Sequence, residues 1–112
     1  MRVGMMLSMP GDQAGTREIS ERAVRAEQAG FASAWLPQVA TADALMALAL
    51  AGATTSRIEL GTAVVPTYPR HPTVLATQAL TAQDATGNRL ALGIGLSHRM
   101  MIEGSLGLDY SR

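Results

Sequence analysis

Apolar runs of strand length alternate along this chain with segments of helix length. Arg2–Met9 is a near-continuous apolar run, the pattern of a strand buried on both faces, and Pro10-Gly11-Asp12 breaks it. A helix is expected from Thr16, a good N-cap residue, with Glu18 in its first turn. Glu18 with Arg22 and Glu21 with Arg25 have i,i+4 spacing, Ile19, Ala23 and Ala26 make an apolar stripe, and Gly30 suits the position just past the end. Phe31–Leu36 reads as a second strand ended by Pro37. Asp43 can cap a second helix, Ala44 to about Ala53. Ile58–Val65 is a third strand ended by Pro66. After the turn Pro69-Arg70-His71-Pro72, a third helix is expected from about Thr73 to Ala85, with Pro72 where a missing N–H costs nothing and Gly87-Asn88 as its stop. Arg89–Leu96 is a fourth strand, and Ser97–Arg112, with Gly104 and Gly107, reads as a loop with one helical turn.

The order is βαβαβαβ. Strands joined by helical crossovers are parallel, and the crossovers are right-handed. A doubly wound sheet and a (β/α)₈ barrel both fit. The first strand–helix turn, Met9 to Gly15, has no G-x-G-x-x-G, which argues against a dinucleotide-binding Rossmann domain. Gly93-Ile94-Gly95 falls inside the fourth strand instead, where glycines let a backbone or a ligand come close.

Composition narrows the chemistry. The 112 residues are 47% apolar, so a packed core rather than disorder is expected. Nine basic residues balance nine acidic ones, a charge pattern that offers no footprint for nucleic acid or an anionic membrane. All nine basic residues are arginine, which removes Schiff-base chemistry and a P-loop lysine. The absence of cysteine excludes disulfides, thiolate nucleophiles and Cys-ligated metals from this segment, and no metal site is expected. The opening apolar run stops too soon for a signal peptide, and no stretch approaches the roughly 18 apolar residues of a membrane span. The expected location is the cytoplasm.

The third strand carries a more specific signal: Leu60-Gly61-Thr62-Ala63-Val64-Val65-Pro66, then Tyr68-Pro69-Arg70-His71-Pro72, Ala76-Thr77-Gln78-Ala79, and Asn88-Arg89-Leu90-Ala91-Leu92-Gly93-Ile94-Gly95. This resembles the luciferase-like monooxygenase superfamily, especially its branch that uses the deazaflavin coenzyme F420. The opening Arg2-Val3-Gly4 and the ending Gly95-Leu96-Ser97-His98 are similar as well. The resemblance covers essentially the whole chain. It implies a (β/α)₈ TIM barrel of which residues 1–112 form the N-terminal half, the first four βα units of a partial barrel, since a full barrel takes roughly 250 residues.

The resemblance also implies a site. In the family the flavin or deazaflavin ring lies at the C-terminal mouth of the barrel, against a bulge ending strand three that contains a non-proline cis peptide. Carried over, the bulge is Ala63-Val64, flanked by Thr62 and Val65. A ring that exchanges hydride needs one face backed by a rigid wall and the other open to substrate; otherwise Ala63 and Val64 are simply barrel-core residues. His98, after strand four, is a candidate general acid or ring-contacting donor, or else a surface loop histidine. Ser97 could reach the cofactor through its hydroxyl. His71 reads as a structural cap and Arg70 as a solvated arginine, with a phosphate contact as its alternative. Many relatives end strand two with an acidic residue and a histidine; here the strand ends Trp35-Leu36-Pro37-Gln38, and Gln38 hydrogen-bonds but transfers no proton. Trp35 reads as barrel packing.

The expected activity is hydride transfer between reduced coenzyme F420 and a small-molecule organic substrate. An FMN-dependent monooxygenase is the alternative within the family, and a non-catalytic half-barrel or assembly module is the alternative outside enzymes. The full-length form is expected to be a homo-oligomer, and the isolated segment to be inactive.

Overall fold

The computed structural model describes residues 1–9, 11–38 and 42–110. Pro10, part of the expected breaker, lies outside the described residues, as do Ser111 and Arg112 of the expected loop. The elements are β1 (Gly4–Met6), α1 (Thr16–Gln28), β2 (Ser33–Leu36), α2 (Ala44–Gly52), β3 (Glu59–Thr62), β4 (Val65–Pro66), α3 (Pro72–Ala85), β5 (Leu90–Ala91) and β6 (Ile94–Gly95), followed by a π-helical turn, Met100–Ser105. Each expected strand and helix is present. The third and fourth strands, however, are each broken in two, at Ala63-Val64 and at Leu92-Gly93.

All strand pairs are parallel. β1, β2, β3 and β5 lie side by side in chain order, with Met5 opposite Ala34, Ala34 opposite Leu60 and Leu60 opposite Leu90. A doubly wound sheet reverses direction at a switch point, whereas a barrel adds each strand beyond the last. The unbroken order therefore selects the barrel. Right-handed crossovers that always step the same way put their helices on one side, and α1 packs on α2 and α2 on α3.

The core fills the space between that helical layer and the sheet. Ile19, Ala23 and Ala26 of α1 are buried, as the stripe required, against Ala34 and Leu36 of β2, Leu45 and Leu48 of α2, and Ile58 and Leu60 leading into β3. Pleating turns Ser33 and Trp35 to the opposite, barrel-interior face. There the Trp35 indole donates to Ser33 Oγ (2.9 Å) and lies across Gly61 and Gly4, where a Cβ would collide with the ring. Trp35 is thus barrel packing, and two glycines make room for it.

Local signals act as their chemistry dictates, with two exceptions. Asp43 accepts from Met46 N at the start of α2 (2.8 Å), His71 Nδ1 accepts from Thr73 N at the start of α3 (3.1 Å), and Gly30 follows α1 with φ +90°. Thr16 is not the N-cap of α1: it is the first helical residue, Gly15 holds the cap position, and the helix starts without a side-chain cap. β1 is not buried on both faces: among the described residues it pairs with β2 only, and Met5 and Met6 are exposed. Arg22 secures the loop after it, bonding Leu7 O (2.8 Å), Asp12 and Glu18. The Arg22 guanidinium beside Asp12 holds that carboxyl below its usual range.

Candidate functional site at the C-terminal ends of the strands

The site begins where strand three breaks. The Ala63–Val64 peptide is cis, as the resemblance implied. Between β3 and β4 the ordinary ladder is interrupted, and a side chain replaces it. Thr62, fully buried, donates its hydroxyl to Gly93 O (2.8 Å) and accepts from Gly93 N (2.8 Å), while Val65 N also donates to Gly93 O (2.9 Å). On the other flank Ala63 N donates to Leu36 O (3.0 Å) and Gln38 N to Val64 O (3.3 Å). The bulge is therefore fastened to strand two and strand four at once.

The two glycines of strand four have distinct reasons. A Cβ at Gly93 would run into the carbonyl oxygen of Thr62, which is backbone. A Cβ at Gly95 would come within 2.6 Å of Val64 Cγ2, a side-chain methyl. Gly93-Ile94-Gly95 is thus the close-approach motif, with the Thr62 carbonyl approaching Gly93 and the Val64 side chain approaching Gly95. Val64 remains 43% exposed, so the bulge presents an apolar face at the end of the strands.

Gln38 follows β2 at the same end. Its Nε2 donates to Ala42 O (3.0 Å), and its Oε1 accepts from Ala44 N (2.9 Å) and Arg70 Nη2 (3.0 Å). Arg70 also bonds Asp43 Oδ1 (2.6 Å) and Gln78 Oε1 (2.8 Å), with only 14% of its side chain exposed. The expectation of a solvated Arg70 fails because three acceptors, two from the β2–α2 loop and one from α3, converge on it. These partners lie 8, 27 and 32 residues away, beyond the reach of local sequence reading.

Ser97 and His98 follow β6, which runs parallel to β4, so both lie at the same end as Ala63. Ser97 is half-buried with φ +61°, and His98 is exposed, its carbonyl accepting from Ile102 N (2.9 Å) in the π-helical turn. The chain then folds back. Tyr110 donates to Ser97 O (2.9 Å), stacks on Tyr68 with centroids 4.8 Å apart, and has the Arg99 guanidinium 5.3 Å from its ring centre. The sequence reading missed these tyrosines; Tyr68 had appeared only as one letter of the family motif. Among the described residues, then, the C-terminal ends of strands two to four gather Gln38, Thr62, Ala63, Val64, Ser97 and His98, with Tyr68 beside them.

Parallel strands added in one direction, with an apolar bulge fastened at their C-terminal ends, are the arrangement of part of a (β/α)₈ barrel. The chain matches the luciferase-like monooxygenase family over residues 1–112 and belongs to it. It is 36% identical over 112 residues to a protein of Mycobacterium tuberculosis carried under the name of a coenzyme F420-dependent oxidoreductase, a match that takes in 100% of this chain and 32% of that one. It is 37% identical over 105 residues to the F420-dependent glucose-6-phosphate dehydrogenase of Intrasporangium calvum, covering 85% of this chain and 31% of the relative. The coenzyme F420-dependent tetrahydromethanopterin reductase of Methanopyrus kandleri superposes with a TM-score of 0.82 at 26% identity, over 96% of this chain and 30% of that one. The oxygenating constituent of 3,6-diketocamphane monooxygenase from Pseudomonas putida, solved with FMN, shares the fold with a TM-score of 0.78 at 22% identity, over 96% of this chain and 32% of its own. The chain thus spans about a third of the length of these relatives.

Proposed function

We propose that the protein is an oxidoreductase that moves hydride between reduced coenzyme F420 and a small organic substrate. The observation that carries this reading is the bulge at Ala63-Val64, an exposed apolar wall pinned by Thr62 to strand four and by Leu36 and Gln38 to strand two. A flat ring fits such a wall: Val64 is held over Gly95, and the small Ala63 leaves a shallow surface. When bound, the deazaflavin supplies the hydride-carrying carbon.

The chain's own residues have separable tasks. Ala63 and Val64 back the ring and keep water from that face. Thr62 and Gln38 belong to the cofactor site through the walls they hold, because their polar atoms are engaged within the protein. Ser97, left-handed at the strand end, offers its hydroxyl to the cofactor. His98, exposed at the mouth, is the candidate proton donor to substrate.

The relatives named for F420 are 36% and 37% identical to this chain, which favours the deazaflavin over FMN. Titration of the full chain with coenzyme F420 and with FMN, followed by absorbance and fluorescence, tests the reading. Saturable F420 binding supports it, FMN binding alone moves the protein to the monooxygenase reading, and binding of neither refutes it.

A further inference from the structure

Among the described residues, the Tyr68 hydroxyl is a buried side-chain polar atom without a hydrogen-bond partner. A buried phenol left unpaired destabilises the fold, so such a group calls for a functional explanation. Its surroundings are those of the mouth. Tyr68 lies two residues beyond Pro66, past the end of β4, on the segment that begins with the bulge. Thr67 N donates to Gly95 O (3.0 Å), which holds this segment against strand four. The Tyr68 ring is clamped by the stacked Tyr110, whose own hydroxyl is fixed on Ser97 O. The phenol is thus held in a ring stack, its hydroxyl out of water and chemically unspent.

We propose that Tyr68 is a ligand-contacting residue, its hydroxyl hydrogen-bonding the oxygen-bearing edge of the ring that rests on Ala63-Val64; this rests on the function proposed above. Deazaflavin and flavin share that edge, a pyrimidinedione with two carbonyl acceptors and an imide donor. A phenol both donates and accepts, so it suits either kind of group. The Ala63-Val64 wall is apolar and supplies shape only. A polar ring edge brought there needs partners of its own, and a donor already desolvated and immobilised gives more binding than one that must be ordered on contact.

The test is Tyr68→Phe in the full chain, with thermal unfolding of the unliganded protein and titration with both coenzyme F420 and FMN. The unliganded variant is expected to unfold at the same temperature as wild type or higher, because an unpaired group has been removed. Its Kd for whichever cofactor the wild type takes is expected to rise about tenfold, the effect of one lost hydrogen bond. Tyr110→Phe, which removes a hydroxyl paired with Ser97, is expected to lower the unfolding temperature instead. A Tyr68→Phe Kd within twofold of wild type overturns the inference while leaving the proposed function standing. A lower unfolding temperature for unliganded Tyr68→Phe also overturns it, by showing that the hydroxyl is already paired within the protein. If wild type binds neither cofactor, the proposed function and this inference fall together.

Discussion

Gly93→Ala and Gly95→Ala are two substitutions of the same size, two residues apart, with opposite expected consequences. At position 93 the new methyl meets the Thr62 carbonyl, which moves only if strand three moves. Separating the strands there strains three hydrogen bonds: Thr62 Oγ1 to Gly93 O, Gly93 N to Thr62 Oγ1, and Val65 N to Gly93 O. Overpacking costs about 1–3 kcal/mol, and each weakened hydrogen bond about 1 kcal/mol. Replacing glycine restricts the unfolded chain and offsets about 0.4–1 kcal/mol of this. A net loss of about 3–5 kcal/mol is expected. At position 95 the obstacle is a methyl of Val64, a residue 43% exposed, so the side chain can turn away. Relief by rotation and the unfolded-state offset leave a change within about 1 kcal/mol. Turning Val64, however, roughens the wall proposed for the ring.

Urea denaturation of the full chain, paired with cofactor titration, separates the two variants. Gly93→Ala is expected to shift the midpoint strongly to lower urea. Gly95→Ala is expected to keep the midpoint and weaken cofactor binding by about tenfold, roughly 1.4 kcal/mol. A Gly93→Ala protein as stable as wild type would show that strand three does not press on strand four as described. A Gly95→Ala protein that binds cofactor like wild type would show that the Val64 orientation is irrelevant to the ring.

Three other perturbations follow from the same contacts. Thr62→Val keeps the shape and strands the buried Gly93 N–H, so a loss of about 1–3 kcal/mol is expected by chemical denaturation, with Thr62→Ser recovering most of it. Burial alone would raise the Glu27 carboxyl, but the N–H groups of Arg57, Ile58 and Ser56 and the Arg57 charge outweigh it and bring its pKa from 4.5 to about 2. The folded value is the lower one, so this stabilisation is complete above about pH 4.5 and is lost as the pH falls from there through 2. For a half-buried group it amounts to about 1–2 kcal/mol after solvent screening, and Glu27→Gln should flatten the pH–stability curve across that interval; an unchanged curve would refute the assignment. His98→Ala is expected to lower turnover about 10²-fold or more with little change in cofactor Kd, whereas unchanged turnover would reduce His98 to a surface residue.

What was legible in the sequence was local or periodic. Asp43, Pro72, Gly30 and the Ile19–Ala23–Ala26 stripe act within one turn or one face, and each does what its chemistry suggests. The bulge was located through family resemblance; the residues alone would have read as an uninterrupted strand. What was not legible depends on partners distant in the chain. The two arms of the Thr62–Gly93 stitch are 31 residues apart. Arg70 looked solvated because nothing within four residues could receive its guanidinium, yet Asp43 and Gln38 are brought to it by the β2–α2 loop. The apolar character of β1 was read as burial, but burial depends on neighbours, and among the described residues β1 has one strand beside it.

These distant contacts bear on how such a mouth can recognise a cofactor. The obvious polar groups at the strand ends are already committed: Thr62 to Gly93, Gln38 to Ala42 and Ala44, Arg70 to Asp43 and Gln78. Leaving any of them half-paired to meet a ligand would weaken the bulge or the loop beside it, because buried polar groups are costly when unpaired. Under the proposed function, recognition among the described residues would divide between shape at Ala63-Val64 and the groups left uncommitted, the Ser97 and Tyr68 hydroxyls and the exposed His98. It follows that substitutions at Thr62 or Arg70 should first register as lost stability and only through it as lost binding. Substitutions at Val64, Tyr68 or His98 should act on cofactor or turnover while the fold persists. A set of variants in which binding tracked stability across all five positions would contradict this division, and with it the argument that the scaffold and the ligand draw on separate groups.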